Sequence, residues 1–252
     1  MAVLGSILKD YIVPVTSIIA LILSQLPPLK TFFKRRKPVV TVGKFIALSH
    51  YIGLPEVQLY ISISNDSYSN LRVRSIDIEL TKLGQEKLKL PAFSVFEHIS
   101  GNTQRGFAPF TLKSDTEWSH NIKFYLPFSG SDEQKHKKIY YALKSDINQK
   151  LMENEARPAH EKLALVEADN DLVTELKGIY ASKKYWENAD YKLKLRIGTD
   201  ASSTTYENEY DFFLSPPDIE FFDSLVERYK YGNTILVTES QAFTNAVLRN
   251  KT

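Results

Sequence analysis

Apolar and polar positions alternate with a period of two along most of the chain beyond Pro38, and that period predicts half-buried β-strands. In "PEVQLYISIS" (55–64), Val57, Leu59, Ile61 and Ile63 share one face. "NDSYSN" (65–70) is turn chemistry, because Asn, Asp and Ser side chains bond to their local backbone. "LRVRSIDIEL" (71–80) resumes with Leu71 and Val73, then changes parity at Ile76, Ile78 and Leu80, which predicts a bulge or a bend. These two runs are expected to pair as a hairpin. "HNIKFYLPF" (120–128) sets Ile122, Phe124, Leu126 and Phe128 on one side, with Pro127 marking a strand end or an edge. "DYKLKLRIGT" (190–199) alternates most cleanly. Its expected partner is "YENEYDFFL" (206–214), where Glu207 and Glu209 can face the lysines.

Between 131 and 188 the period lengthens. The stretch is rich in Lys, Glu, Ala and Leu, and Leu163, Val166, Leu172, Val173, Leu176 and Tyr180 recur at helix-like intervals. One to three amphipathic helices are expected there, with Pro158 near a helix start. In "SPPDIEFFDSLVERYKYG" (215–232), Ser215 is a candidate N-cap, the prolines suit the first turn, Asp218 comes early and Gly232 is a candidate stop. "NTILVT" (233–238) reads as one more short strand, and the last dozen residues as helical or frayed.

Six or so strands with a single helical insertion predict a mainly β chain: an antiparallel β-sandwich of immunoglobulin-like or related type, with the insertion at about 131–188. Strand and helix do not alternate regularly, which argues against a doubly wound α/β fold.

Ahead of this body lies a different pattern. From Tyr11 to Leu26, "YIVPVTSIIALILSQL" contains no charged residue, and Pro27 and Pro28 would end a helix there. A bilayer core of about 30 Å needs roughly 20 apolar residues in helix, so the run is marginal. It can be read as a transmembrane helix, a cleaved signal peptide or a buried helix of the body. The first accounts for both the apolar run and the basic flank of Lys30, Lys34, Arg35, Arg36 and Lys37. A single-pass anchor over 1–37 would, by the positive-inside rule, leave residues 38–252 as a cytoplasmic domain at the inner (plasma) membrane.

Charge sharpens this division. Of 32 basic residues, six lie in the first 37 positions beside one acid, Asp10; the body keeps 26 basic against 29 acidic residues. A mildly acidic body argues against nucleic acid as a partner. The basic cluster next to an apolar segment suits anionic lipid headgroups, at about 1 kcal/mol per cation.

Candidate chemistry is sparse. The chain has no Cys, which removes disulfides and thiolate sites. His50, His98, His120, His136 and His160 have no metal-ligand spacing, and no glycine-rich phosphate loop or nucleophile elbow occurs. "IGTDASSTT" (197–205) could cradle an anion, although it also reads as a polar hairpin loop. Phe221, Phe222, Tyr229 and Tyr231 form a possible partner surface. The expectation is a membrane-tethered, non-enzymatic binding or sensor module without cofactor. Its partners would be the bilayer and a protein or a second copy of itself. One alternative is a membrane effector whose N-terminal helix self-associates when the body binds a ligand; another is an enzyme whose site is assembled only in three dimensions.

Overall fold

The computed structural model describes residues 13–25, 37–82, 87–97, 103–233 and 242–250. The strands among them are β1 (Val39–Tyr51), β2 (Leu54–Asn65), β3 (Leu71–Lys82), β4 (Leu88–Phe96), β5 (Gln104–Gly106), β6 (Phe110–Leu112), β7 (Thr116–Phe124), β8 (Ala189–Thr199), β9 (Tyr206–Leu214), β10 (Thr244–Val247) and β11 (Arg249–Asn250). All pair antiparallel in one sheet of order β10-β1-β2-β7-β4-β3-β8-β9-β11, with β5 on β4 and β6 on β3.

The chain is mainly antiparallel β with helices, as its alternation predicts, but the immunoglobulin-like sandwich is not what forms. Strand β4 changes partner midway: Leu88 to Pro91 pair with β3, whereas Ala92 to Val95 pair with β7. The sheet therefore turns a corner instead of stopping at an edge. At the other end of the path, β10 pairs with β1 and β11 with β9, and only Leu248 separates them. The Leu248 N–H donates to the Lys44 carbonyl (2.9 Å), in the irregular stretch of β1 between Val42 and Ile46. One short segment thus bridges both ends of the sheet and makes it a nearly closed barrel, which removes most of the free edge that an open sheet would expose. Inside it, Leu48, Val57, Leu59, Ile61, Val73, Ile78, Phe124, Leu193, Leu195 and Phe212 belong to one apolar core.

Several local expectations hold. The parity change in β3 is a register shift between Val73 and Ser75. β8 and β9 pair with Lys194 opposite Glu209 and Arg196 opposite Glu207. Others do not. β2 and β3 are not a hairpin: β7 and β4 lie between them, because residues 66–70 carry the chain across the barrel end rather than back along β2. The C-terminal residues form β10 and β11 instead of a helix, since their backbone groups complete the barrel seam. Strand β7 stops at Phe124, and Leu126 is exposed. Residues 234–238 of the expected last strand lie outside the described residues.

Helices α1 (Val13–Gln25), α2 (Gly130–Glu155), α3 (Asn170–Lys183) and α4 (Pro216–Glu227) complete the described elements, together with three short 3-10 turns. α2 and α3 occupy the predicted insertion. α2 buries His136, Ile139, Leu143 and Ile147 along one stripe. α3 starts at Asp169, whose carboxylate accepts from the Asp171 and Leu172 N–H groups. Its start is thus well past Pro158, which precedes only a 3-10 turn, and Leu163 is an exposed loop residue. α4 opens on the predicted cap: Ser215 and Asp218 make a reciprocal capping box, and Gly232 (φ +76°) ends the following turn. The helices build a second core from Ile52, Phe128, Ile139, Leu143, Leu176, Ile179, Val226 and Tyr229. Ile52 carries the barrel into this second core, because it sits at the tip of the β1–β2 turn with Gly53, both residues at positive φ (+48° and +90°).

The transmembrane helix is not supported. At 1.5 Å per residue the 13 residues of α1 span roughly 20 Å, short of a bilayer core of about 30 Å. No helix among the described residues is long and apolar enough to cross a membrane.

Candidate functional site

The barrel has two unlike ends. α2, α3 and α4 cover the end that carries the β1–β2 turn, the finish of β7 and the start of β8. At the opposite end β1 begins, and the turns 66–70, 113–115 and 200–205 meet. A pocket of about 200 Å³ opens there, lined by Ser67, Ser69, Asn70, Leu71, Arg72, Thr111, Asp200, Ala201 and Thr204.

Its two rims are held by buried polar networks. On one side the Asn65 amide, sealed from water, donates to the carbonyls of Ser69 (2.9 Å), Leu112 (3.2 Å) and Lys113 (3.0 Å). Its oxygen accepts from the Ser67 N–H (3.3 Å) and the Ser67 hydroxyl (2.7 Å). One side chain thereby ties the 66–70 turn to β6, an Asx arrangement that rigidifies the turn. On the other side Thr199 and Thr204 share a hydroxyl contact of 2.5 Å, and both hydroxyls reach the Ala201 carbonyl (2.8 and 2.9 Å). The 197–205 loop that could cradle an anion is therefore one wall of the pocket.

Between the rims stand polar side chains without a hydrogen-bond partner among the described residues. Arg72 lies directly opposite Thr111 in the β3–β6 register. The side chains of Arg72, Thr111, Ser69 and Asn70 have no protein partner among the described residues. Asp200, the one carboxylate in the lining, is bonded to Arg74 outside it. Arg72 is left as the uncompensated charge.

The other residues singled out by sequence fall elsewhere. Lys30, Lys34, Arg35 and Arg36 lie outside the described residues; Lys37 is exposed just before β1. The four aromatics do not form one surface. Phe222, 1 % exposed, stacks on Trp186 (6.3 Å) in the barrel core, and Tyr229, 0 % exposed, is in the helical core. Phe221 is half-buried, and half-buried Tyr231 lies under the Lys230 ammonium (4.8 Å). Burial turns the i, i+1 and i, i+2 neighbours of a helical run to different sides, so proximity in sequence does not make a patch.

Buried titratable groups cluster at the covered end. His50 Nδ1 accepts from the Gly53 N–H (3.4 Å) while Nε2 contacts the Phe222 carbonyl (3.1 Å), which fixes the Nε2–H tautomer. Burial holds its pKa below the ordinary value. Nearby, Asp223 accepts from the Tyr180 hydroxyl (2.6 Å) and the Lys184 ammonium (2.7 Å). Although burial alone would raise it, those two donors hold the Asp223 carboxyl below its usual range. These contacts lock α3 and α4 to the β1–β2 turn. Among the described residues no group of three His, Asp or Glu is placed to hold a metal ion. Asn65 is the residue that sequence reading passed over: "NDSYSN" announces a turn, and nothing local tells that its first side chain also reaches β6.

No family model matches the chain, and no curated protein matches it. Among solved structures, the crystal structure of a protein from Archaeoglobus fulgidus is similar over 70 % of this chain and 96 % of that one, at 9 % identity and a TM-score of 0.28. A likeness of that size carries no argument.

Proposed function

We propose that this protein is a non-enzymatic binding module held at a membrane surface by its N-terminal leader, with the polar pocket as its recognition site. One observation carries the reading: the pocket and the start of β1, where the leader joins the barrel, share one end, and α2, α3 and α4 cover the other. A ligand in the pocket would sit beside whatever the leader is attached to.

The leader's chemistry supports attachment without crossing. Val15, Ile18, Ile19 and Leu21 on α1 are each at least half exposed, whereas Thr16, Ser17, Ala20 and Ser24 fall on the opposite arc of the helix. An apolar arc backed by small residues, three of them hydroxylated, and followed in sequence by five cations suits a helix lying in the bilayer interface. Flotation of the full chain with vesicles of phosphatidylcholine and phosphatidylglycerol tests this. The full chain is expected to float, and the doubly substituted Ile18→Asp, Leu21→Asp protein to remain at the bottom. A full chain that stays at the bottom with every vesicle composition would sink the reading.

A second reading is favoured by a separate feature. Thr16, Ala20 and Ser24 recur at four-residue intervals, a small-residue stripe of the kind that lets two helices approach closely in lipid. The leader would then self-associate when the pocket is filled, as in a membrane effector. Dye release from loaded vesicles that depends on Ala20 separates this reading from simple attachment.

A further inference from the structure

The open-end pocket is more specific than a polar cleft. Its uncommitted side chains can all donate: the Arg72 guanidinium, which only donates, and the Asn70 amide and the hydroxyls of Ser69 and Thr111, which donate or accept. The one carboxylate in the lining, Asp200, has its charge paired with Arg74 through Oδ1. The hydroxyl protons of Ser67 and Thr204 have carbonyl or amide oxygens to go to within their own turns, so these residues are scaffold. A neutral polyol could bond to these groups but would leave the Arg72 charge without a counter-charge. A carboxylate offers two oxygens to a site with four donor groups. A phosphate offers three, carries the opposite charge to Arg72, and suits the planar fork of a guanidinium.

We propose that this pocket binds the phosphate group of a phosphorylated ligand, with Arg72 as its ionic contact and Ser69, Asn70 and Thr111 as hydrogen-bond donors. The rims are already fixed by Asn65 and by the Thr199–Thr204 contact, so binding orders little further chain and its cost in lost freedom is small. The same chemistry has two sources. A soluble phosphate ester would enter from water. A phospholipid headgroup would enter from the bilayer, and that source alone rests on the leader holding this end at a membrane.

The test uses the full chain and two probes. Inorganic phosphate, titrated through the millimolar range and followed by thermal unfolding and calorimetry, is expected to bind and stabilise. Arg72→Ala should weaken that binding about tenfold or more, while Lys192→Ala on the exposed outer face should not. Arg72 is exposed, so its loss spares the core; Thr111→Val is a second variant with its hydroxyl alone removed, expected to weaken binding to a smaller degree. Flotation on phosphatidylcholine vesicles with and without phosphatidic acid then identifies the source. A gain from phosphatidic acid that Arg72→Ala removes assigns the site to a headgroup. Phosphate binding that depends on Arg72, with no such gain, assigns it to a soluble ester. If the full chain never floats but still binds phosphate through Arg72, the membrane reading fails and the pocket stands. If neither probe distinguishes Arg72→Ala and Thr111→Val from the unaltered chain, the proposal is overturned.

Discussion

Glu56 and Lys123 form an ion pair of 2.7 Å on the outer face of the barrel, with side chains only 2 % and 10 % exposed. They lie on adjacent strands, β2 and β7, and the ammonium is 5.7 Å from the centre of the Tyr125 ring. Burial raises the Glu56 carboxyl above its usual range, and Lys123 offsets part of that rise. Desolvating two charges consumes most of what their attraction returns, so such a pair adds little net stability yet is costly to break.

Lys123→Met is accordingly expected to destabilise the protein by about 3–5 kcal/mol in urea unfolding at neutral pH, because it leaves Glu56 ionised and buried. The loss should shrink as pH falls, since Glu56 can then take up a proton. The double variant Glu56→Leu, Lys123→Met should recover most of it. A double variant as unstable as the single would show that the pair is worth more than its desolvation.

His50 makes stability depend on pH in the opposite sense to Glu56. Its native pKa lies below the ordinary value of 6.5, so the unfolded chain binds the proton first. The contribution is complete above about pH 6.5 and is lost as pH falls from there through the native pKa. Protonation also abolishes the Nδ1 acceptor that the Gly53 N–H uses. Buried His136, lowered by burial and by Lys137, adds to the same trend. Melting temperatures of the unaltered protein and of His50→Asn, measured between pH 8 and pH 5, should converge toward the acid end. Parallel curves would mean that His50 does not carry this proton linkage.

Gly53 joins the barrel to the helices. Its φ is +90°, and an added Cβ would lie 2.7 Å from the Tyr180 carbonyl oxygen and 2.9 Å from the Lys183 carbonyl carbon. Both are backbone atoms, so α3 would have to move. Gly130 also has positive φ (+60°) but open space around it. Gly130→Ala should therefore cost about 1–2 kcal/mol from conformation alone, and Gly53→Ala about 2–4 kcal/mol or more, as both terms apply. Equal losses for the two variants would show that the close approach to α3 contributes nothing.

The features legible in sequence are those decided by neighbouring residues. Ser215, Asp218 and Gly232 read as caps because capping is local, and β8 and β9 read as strands because every second side chain enters one core. Where pairing is long-range the signal fails. β1 begins with Val39-Val-Thr-Val, but the irregularity between Val42 and Ile46 breaks the alternation, and the strand goes unseen. β2 and β3 look like a hairpin because their turn chemistry says that the chain bends, not which strand it bends toward. The pocket shares this character. Its wall at 197–205 announces hydroxyls and amides, whereas its charge, Arg72, is one of two exposed cations on β3, beside Arg74, and stands out only through its place opposite Thr111.

The outer face of β4, β3, β8 and β9 carries a ladder of alternating charge that bears on how much of the surface remains for binding. Across the strands, Lys89 pairs in register with Glu79, Glu79 with Lys194, and Lys194 with Glu209; one row on, Asp77 faces Arg196, which faces Glu207. The Lys194 ammonium also reaches Glu207 at 2.8 Å. Every cation here is matched by neighbouring carboxylates, so this face has no surplus charge to offer a ligand, unlike the pocket around Arg72. Lys194→Glu would set a carboxylate among Glu79, Glu207 and Glu209. It should lower stability at low ionic strength, with much of the loss recovered in high salt, as like charges on adjacent strands repel through screened solvent. Phosphate binding at the pocket should be unchanged in that variant. A loss of stability insensitive to salt would mean that the ladder acts through packing of the lysine stem rather than through its charge.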